Sequence, residues 1–282
     1  MALENVKTIV RCADENGFAA LAVNVFDYVT ARWAIMAAER EKLPVILAFY
    51  PGWENFIPLK IIADICLNLA RHAKVPIGVH LDHSNTFNAA MSGIPTGFQS
   101  IMFDGSALPF EENVAITRKV VDSAHLFGVD VEAELGFVGS GGSREDFMNT
   151  EHYTDPKMAA KFIELSGADT LAVAIGNAHG AYACEPHLDI KRLAEINRTI
   201  DTPLVLHGGS CIPSEQVKES VRHGINKVNL ATEFLVKCKL ETAAKFGGNG
   251  DVLNCLDKAG EEVIAFLQTK FRSINPSGYQ MR

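Results

Sequence analysis

Three histidines stand at the ends of three short apolar runs. His83 closes Val75-Pro-Ile-Gly-Val-His-Leu-Asp-His-Ser-Asn85, His179 follows Thr170-Leu-Ala-Val-Ala-Ile175 after Gly-Asn-Ala, and His207 directly follows Pro203-Leu-Val-Leu206. Apolar residues drive such runs into the core, where an imidazole or carboxylate is costly to bury without a partner. Neutral imidazoles suit zinc, and three protein ligands leave one coordination position open to substrate. The pattern predicts a single divalent ion held by His83, His179 and His207. Asp82 precedes one of these ligands, so its carboxylate is the candidate for exchanging a proton with a substrate oxygen. His80 lies deeper in the same run and reads as structural. His72, His125, His152, His187 and His223 fall in helices or loops and read as solvated.

Other groups gather around this constellation. Glu132 and Glu134 share one face of a strand by the period of two; with Asp104 they read as partners of histidine N–H groups or as an alternate metal position. Gly136 to Glu151 holds four glycines within its first seven residues. A loop this long on a working face reads as a mobile lid, with Glu145 and Asp146 near its tip. His207-Gly208-Gly209-Ser210 and Asn229-Leu-Ala-Thr232 offer backbone amides and hydroxyls at helix starts, the chemistry that cradles phosphate.

Elements of two kinds must position these residues. Strand-like runs fall at about 20–24, 45–49, 76–81, 99–103, 129–134, 170–175, 203–206 and 226–230. Helix-like runs fall at about 30–41, 57–72, 86–92, 110–127, 156–166, 189–198, 214–223 and 232–245, with a further one at 251–270. Eight alternations predict a (β/α)8 barrel, one domain over residues 1–282 with an extra helical segment from about 250. An open doubly wound sheet would want a glycine-rich turn after its first strand, and Asn24-Val-Phe-Asp-Tyr has no glycine. In a barrel, functional residues sit at strand C-termini. Those ends carry Asn24, Tyr50, Asp82/His83, Asp104, Glu132/Glu134, His179, His207 and Asn229, a polar finish that packing alone does not call for.

Composition excludes some functions. A net charge of −8 argues against nucleic acid as partner, though it leaves a phosphorylated substrate open. No run approaches the roughly 18 apolar residues of a membrane helix, and the start lacks the pattern of a signal peptide. Cys12, Cys66, Cys184, Cys211, Cys238 and Cys255 have no paired spacing and read as reduced thiols of a cytoplasmic protein.

Taken together, His80-Leu-Asp-His83, Asp104-Gly-Ser106, Val131-Glu-Ala-Glu-Leu-Gly136, His179-Gly180, Leu206-His-Gly-Gly-Ser210 and Lys227-Val-Asn-Leu-Ala-Thr232 resemble the class II, zinc-dependent ketose-bisphosphate aldolases, in particular the tagatose- and fructose-bisphosphate branch. The likeness runs through nearly the whole chain. It implies cleavage of a ketose 1,6-bisphosphate to dihydroxyacetone phosphate and an aldehyde such as glyceraldehyde 3-phosphate, with one Zn2+ per subunit on the three histidines. It implies Asp82 as the group at the C4 oxygen and Glu145, in preference to Asp146, as the lid acid at C3. Gly180, Gly208, Gly209, Ser210, Asn229 and Thr232 would hold the donor phosphate half, with Asn24 also at the substrate. Carbonyls near Gly180 and Gly208 would seat a monovalent cation (Na+ or K+), and the protein would be a homodimer or homotetramer. Two departures stand out. The second strand ends in Ala48-Phe-Tyr-Pro-Gly-Trp53, where relatives often carry small polar residues. The C-terminal glycine- and serine-rich segment appears as Asn275-Pro-Ser-Gly-Tyr-Gln-Met-Arg282, which leaves the second phosphate clamp to Arg272 or Arg282. The alternative these departures open is the same mechanism with a different aldehyde or a deoxy-sugar phosphate.

Three other readings compete. Lys227 shares a strand face with Asn229, which would suit a Schiff-base aldolase. A metal-dependent barrel hydrolase would want a His-x-His on the first strand, where Asn24-Val-Phe stands. A non-catalytic barrel protein would have no need of the intact set of acids and imidazoles.

Overall fold

The computed structural model describes residues 2–247 and 250–281. Eight strands close into a barrel in chain order, every neighbouring pair parallel. They are β1 Ala20–Asn24, β2 Val45–Phe49, β3 Ile77–Ser84, β4 Ser100–Phe103, β5 Asp130–Leu135, β6 Thr170–Val173, β7 Leu204–Leu206 and β8 Ile225–Leu230. The helices are α1 Val6–Asn16, α2 Tyr28–Glu41, α3 Leu59–His72, α4 Phe87–Thr96, α5 Phe110–His125, α6 Arg144–Met148, α7 Pro156–Ser166, α8 Ile190–Thr199, α9 Ser214–Arg222, α10 Thr232–Phe246 and α11 Val252–Ser273. The (β/α)8 expectation is met, and strand boundaries differ from the sequence reading by three residues at most.

Alternation along the strands sorts the core into two sets. Leu21, Val23, Val45, Leu47, Val79 and Leu81 face outward and pack under the helices in one large cluster. Ala20, Ala22 and Ile46 face inward and meet Val6, Ile9 and Val10 of α1. This first helix is absent from the sequence reading, yet it is locally well specified. The Asn5 side chain accepts from the Lys7 N–H at its start, and Gly17 ends it in the left-handed conformation. Val6, Ile9, Val10 and Ala13 form one apolar stripe, which closes the N-terminal mouth of the barrel. At Gly78 the approach is so close that a Cβ would meet Val6 at 2.7 Å.

The C-terminal segment also belongs to this floor. α11 packs on α2 and α10, and Arg272 bonds Glu41 at 2.7 Å, the last residue of α2 before the chain enters β2. Tyr279 stacks on Phe18 with ring centroids 4.9 Å apart, and the Met281 N–H donates to the Lys42 carbonyl at 3.0 Å. No helix among the described residues is long and apolar enough to cross a membrane.

Candidate active site

At the opposite mouth, β3 breaks the rule of alternation. Successive residues on a strand should face opposite ways, which would send Asp82 inward and His83 out. The register with β4 shifts between Leu81 and Ser84, and His83 takes φ 37°, in the left-handed region. This bulge turns both side chains to the mouth. A non-glycine residue held there stores strain that the surrounding structure must offset.

The three expected ligands converge. His83 Nε2 stands 2.8 Å from His207 Nδ1 and 3.1 Å from His179 Nε2. Each ring is pinned by its other nitrogen to an acceptor. His83 Nδ1 lies 3.1 Å from Asp104 Oδ2, His179 Nδ1 lies 3.1 Å from the Val138 carbonyl, and His207 Nε2 lies 2.9 Å from Glu132 Oε1. These acceptors have no proton to give when ionised or carbonyl, so each outer nitrogen carries the N–H and three lone pairs point at one place. Burial and the neighbouring His83 push His179 down to about 3 and also lower His207, which keeps both as neutral ligands. Burial opposes charge on His83, but Asp82 and Asp104 outweigh it and raise that ring to about 9. The carboxylates thus favour positive charge between the rings, whether a proton on His83 Nε2 or the divalent ion that would displace it to free the third lone pair. Nitrogens on a tetrahedral zinc stand roughly 3.4 Å apart, close to the spacing here, so the donor set fits a divalent ion. Asp104 and Glu134 also gather on His83.

Asp82 is aimed by two amides. Asn24 Nδ2 donates to its Oδ2 at 2.8 Å and Asn229 Nδ2 to its Oδ1 at 3.2 Å. Burial works against its charge, yet His83, His207 and Lys227 hold the carboxyl well below the usual range. Asn24, expected at the substrate, lines the cavity but uses its amide to position Asp82. Beneath them Lys227 Nζ contacts both oxygens of Glu132, at 2.9 and 2.8 Å, with both side chains fully buried. A lysine so paired is no free nucleophile, which removes the footing of the Schiff-base reading. Burial raises Glu132, but Lys227, His80 and His207 pull it well below its ordinary value, while burial and Asp104 push Glu134 well above. His80, read from the sequence as structural, has its Nδ1 2.9 Å from Ser100 Oγ, while its Nε2 is buried without a hydrogen-bond partner among the described residues.

A cavity of about 500 Å³ opens over this group. One wall is built by the loops after β6, β7 and β8: Gly180, Gly208, Ser210, Asn229 and Thr232 all line it. Gly208 lies so close to the β6 loop that a Cβ would fall 2.0 Å from the Ala178 carbonyl. Gly209 is not on the wall: its N–H donates to the Asn229 carbonyl at 3.1 Å and it packs against Val228. Two residues that the sequence reading missed fix these loops. Tyr182 Oη accepts from the Ala178 N–H at 2.8 Å and donates to the Gly208 carbonyl at 3.1 Å. Asn177 Nδ2 donates to the His207 carbonyl at 3.1 Å. The Gly208 carbonyl, expected to face a monovalent cation, therefore already serves Tyr182.

The loop after β5 is more structured than its glycines suggest. Gly141 N–H donates to the His179 carbonyl at 2.7 Å and His179 N–H to the Gly139 carbonyl at 2.8 Å, tying loop and ligand together. Asp146 is committed to the Ser140 N–H and the Ser143 hydroxyl, at 2.8 and 3.0 Å. Glu145 beside it is exposed and does not line the cavity, so the structure does not bring the expected lid acid to the site. Arg272, tied to Glu41 at the floor, is at the wrong mouth for a phosphate clamp, and Arg282 lies outside the described residues.

Residues 4–279 match the family model of class II fructose-bisphosphate aldolases. Among solved structures, the chain is similar to the YdjI aldolase from Escherichia coli K12, at 30% identity and TM-score 0.85 over 98% of either chain. It is similar to a candidate fructose-1,6-bisphosphate aldolase from Coccidioides immitis, at 26% and 0.85 over 96% of either chain. The fructose-bisphosphate aldolase Fba from Campylobacter jejuni matches at 25% and 0.78, over 96% of this chain and 94% of that one.

Proposed function

The chain belongs to the class II fructose-bisphosphate aldolase family and is an aldehyde-lyase, and on that premise we propose that it uses one zinc ion to cleave a ketose 1-phosphate reversibly into dihydroxyacetone phosphate and an aldehyde. The observation that supports this best is the set of three imidazoles, each anchored through its outer nitrogen so that the inner one is bare. Held by His83, His179 and His207, zinc would supply a Lewis acid beside the donor's carbonyl and hydroxyl oxygens. Fructose and tagatose 1,6-bisphosphates are the substrates that the resemblance implies.

In cleavage, the ionised Asp82 takes the proton of the C4 hydroxyl as the carbon–carbon bond breaks, and in condensation it returns that proton to the aldehyde oxygen. Asn24 and Asn229 keep both of its oxygens oriented, so little reorganisation is needed during the transfer. Glu145 moves the proton at C3 once α6 folds over the mouth; of the two lid acids, only Asp146 is already committed within its own loop. Closure also keeps water from protonating the carbanion-like carbon. Gly180, Gly208, Ser210, Asn229 and Thr232 hold the donor phosphate, with Thr232 at the start of the 15-residue α10, where the N-terminal amides favour an anion. Remote binding energy from that phosphate aligns the reacting carbon.

Release of dihydroxyacetone phosphate from a panel of ketose phosphates tests the reading. Chelator should abolish release and zinc should restore it; release that ignores the chelator overturns the mechanism. Glu145→Gln should slow exchange of the dihydroxyacetone phosphate C3 proton with solvent by about a hundredfold, and an unchanged rate removes Glu145 from its role.

A further inference from the structure

The two halves of the cavity are built from opposite sides of the barrel. The donor wall comes from the ends of β6, β7 and β8. The facing wall comes from β2, four strands away from β6 in the closed order, where Tyr50 and Trp53 line the cavity, with Phe137 from the loop after β5 at its edge. Resting on the aldolase reading, we infer that the aldehyde half of the substrate carries no phosphate: this wall takes an uncharged, hydroxylated chain laid against aromatic rings.

Charge is the first ground. Among the described residues, no lysine or arginine lines the cavity, whereas Asp82 and Asp104 both do. A second phosphate would enter as a dianion beside two carboxylates with no cation among the described lining residues to meet it, and an unpaired buried charge is strongly disfavoured. Several backbone groups of this wall are already engaged. Pro51 has no N–H, and those of Trp53 and Glu54 donate to the carbonyls of Tyr50 and Pro51, at 3.0 Å each. The nearby start of α2 is capped by the Asp27 carboxylate, which accepts from the Thr30 N–H at 2.7 Å. Arg272 is bound to Glu41 at the floor.

Shape is the second ground. Trp53 is held edge-on by Phe26, Phe49 and Tyr50, with centroids 6.2, 6.1 and 5.8 Å away. The result is an apolar platform on the same cavity as Asp82, built from the β2 side of the barrel. Asn85 and Ser106 also line the cavity and suit hydroxyl groups on the other edge of the chain. Aromatic faces beside a few hydrogen-bonding groups recognise the C–H surface of a polyol without any charge.

Zinc-loaded protein is first mixed with dihydroxyacetone phosphate in D2O and C3 exchange is followed by NMR, a half-reaction that needs no aldehyde. No exchange means that the aldolase reading itself has failed, and this inference with it. With exchange present, kcat/KM is compared for fructose 1-phosphate against fructose 1,6-bisphosphate, and for the tagatose pair. The 1-phosphates should be favoured by about tenfold or more; a bisphosphate equal to or better than its 1-phosphate overturns the inference. Trp53→Ala should lower kcat/KM for the 1-phosphate about tenfold more than it lowers the exchange rate, the order expected for loss of an aromatic contact; equal losses would deny the platform its role. Arg144, next to Glu145 on α6, is the cation that lid closure could carry across. Bisphosphate cleavage that collapses in Arg144→Met would place a second phosphate under the lid and refute the proposal.

Discussion

At the floor of the barrel, Lys7 Nζ sits 2.6 Å from Asp169 Oδ1, while Asp169 Oδ2 accepts from the Val131 N–H at 2.9 Å and meets His125 Nε2 at 2.8 Å. Asp130 accepts the Lys7 N–H at 2.8 Å. At the rim, the inner nitrogens of three imidazoles face one another, and His80 Nε2 and Glu134 Oε2 are buried without a hydrogen-bond partner among the described residues. Both mouths therefore hold charge in a low-dielectric setting. The floor pairs the charged groups of Lys7, Asp169 and His125 and so fastens α1 to β5 and β6, with Gln99 Oε1 the one buried polar atom there left without a partner among the described residues. The rim leaves lone pairs bare, which is tolerable only where a ligand completes them. Polar groups at one end keep the shape, and those at the other await chemistry.

That contrast breaks most visibly at His207. His207→Ala removes a ligand but leaves the Glu132–Lys227 pair beneath it, so zinc per chain should fall from about one to near zero and cleavage by about three orders of magnitude or more. Elemental analysis and a triose phosphate assay read both. A variant that keeps its zinc and its rate would show that the three rings are only neighbours. Asp82→Asn separates proton transfer from metal binding. Its single amide oxygen keeps only one of the bonds from Asn24 and Asn229 while its NH2 faces the other donor. The three imidazoles are untouched, so zinc should stay while kcat falls about 10²–10⁴-fold; loss of zinc in this variant would make Asp82 a positioning residue for the metal.

The rim was far more legible in the sequence than the floor, and the reason is physical. A buried strand that ends in histidine or aspartate contradicts its own hydrophobic run, so His83, His179, His207 and Asp82 announce themselves. Of what holds them, the strand-end carboxylates Asp104 and Glu132 can be read as histidine partners, but the backbone carbonyl and the loop hydroxyl cannot. The Val138 carbonyl and the Tyr182 hydroxyl act across 41 and 26 residues of chain, and nothing local marks them. The bulge at His83 depends on pairing with β4, which alternation within one strand cannot foresee. At the floor, α1 stands before the first βα unit and outside the repeating pattern, so strand–helix alternation does not call for it. His125 reads as a solvated helix end, yet it is tied to Asp169 by a contact formed only when α5 and β6 come together. Lys227 shares a strand face with Asn229, but its partner Glu132 lies 95 residues away, and only that pairing separates a structural lysine from a nucleophile.

Asp169→Ala tests the floor as His207→Ala tests the rim, with the readouts exchanged. Removing a buried carboxylate that holds Lys7 and His125 should destabilise the fold, by about 2 kcal/mol once the partial exposure of both partners is discounted. The folded fraction should keep its kcat and zinc. Burial raises Asp169, but Lys7, His125 and the Val131 N–H outweigh it and hold the carboxyl below its ordinary value. A carboxyl depressed in the folded state stabilises at pH above its unfolded value and ceases to do so as pH falls through the folded one. The difference in thermal midpoint between wild type and variant should therefore narrow in acid; a constant difference from neutral to strongly acid pH would remove the ionic basis of the contact.

Asp130 carries the smallest effect and the opposite sign. Burial and the neighbouring Asp169 raise it from 3.8 to about 6, so the folded protein holds this proton more tightly than the unfolded chain does. Its contribution to stability is complete below pH 3.8 and is lost as pH rises through about 6. At pH 8 the carboxylate is a cost, capped at roughly 3 kcal/mol by that span and reduced to about 1–2 by partial solvation. Asp130→Asn keeps an oxygen for the Lys7 N–H without the charge. It should raise the thermal midpoint at pH 8 and leave it nearly unchanged near pH 4. Because Asp169 supplies part of the repulsion, the gain should shrink in an Asp169→Ala background, a coupling that a double-mutant cycle measures directly. Gains that are equal in both backgrounds would assign the whole effect to burial, and the floor would then be two independent contacts rather than one network.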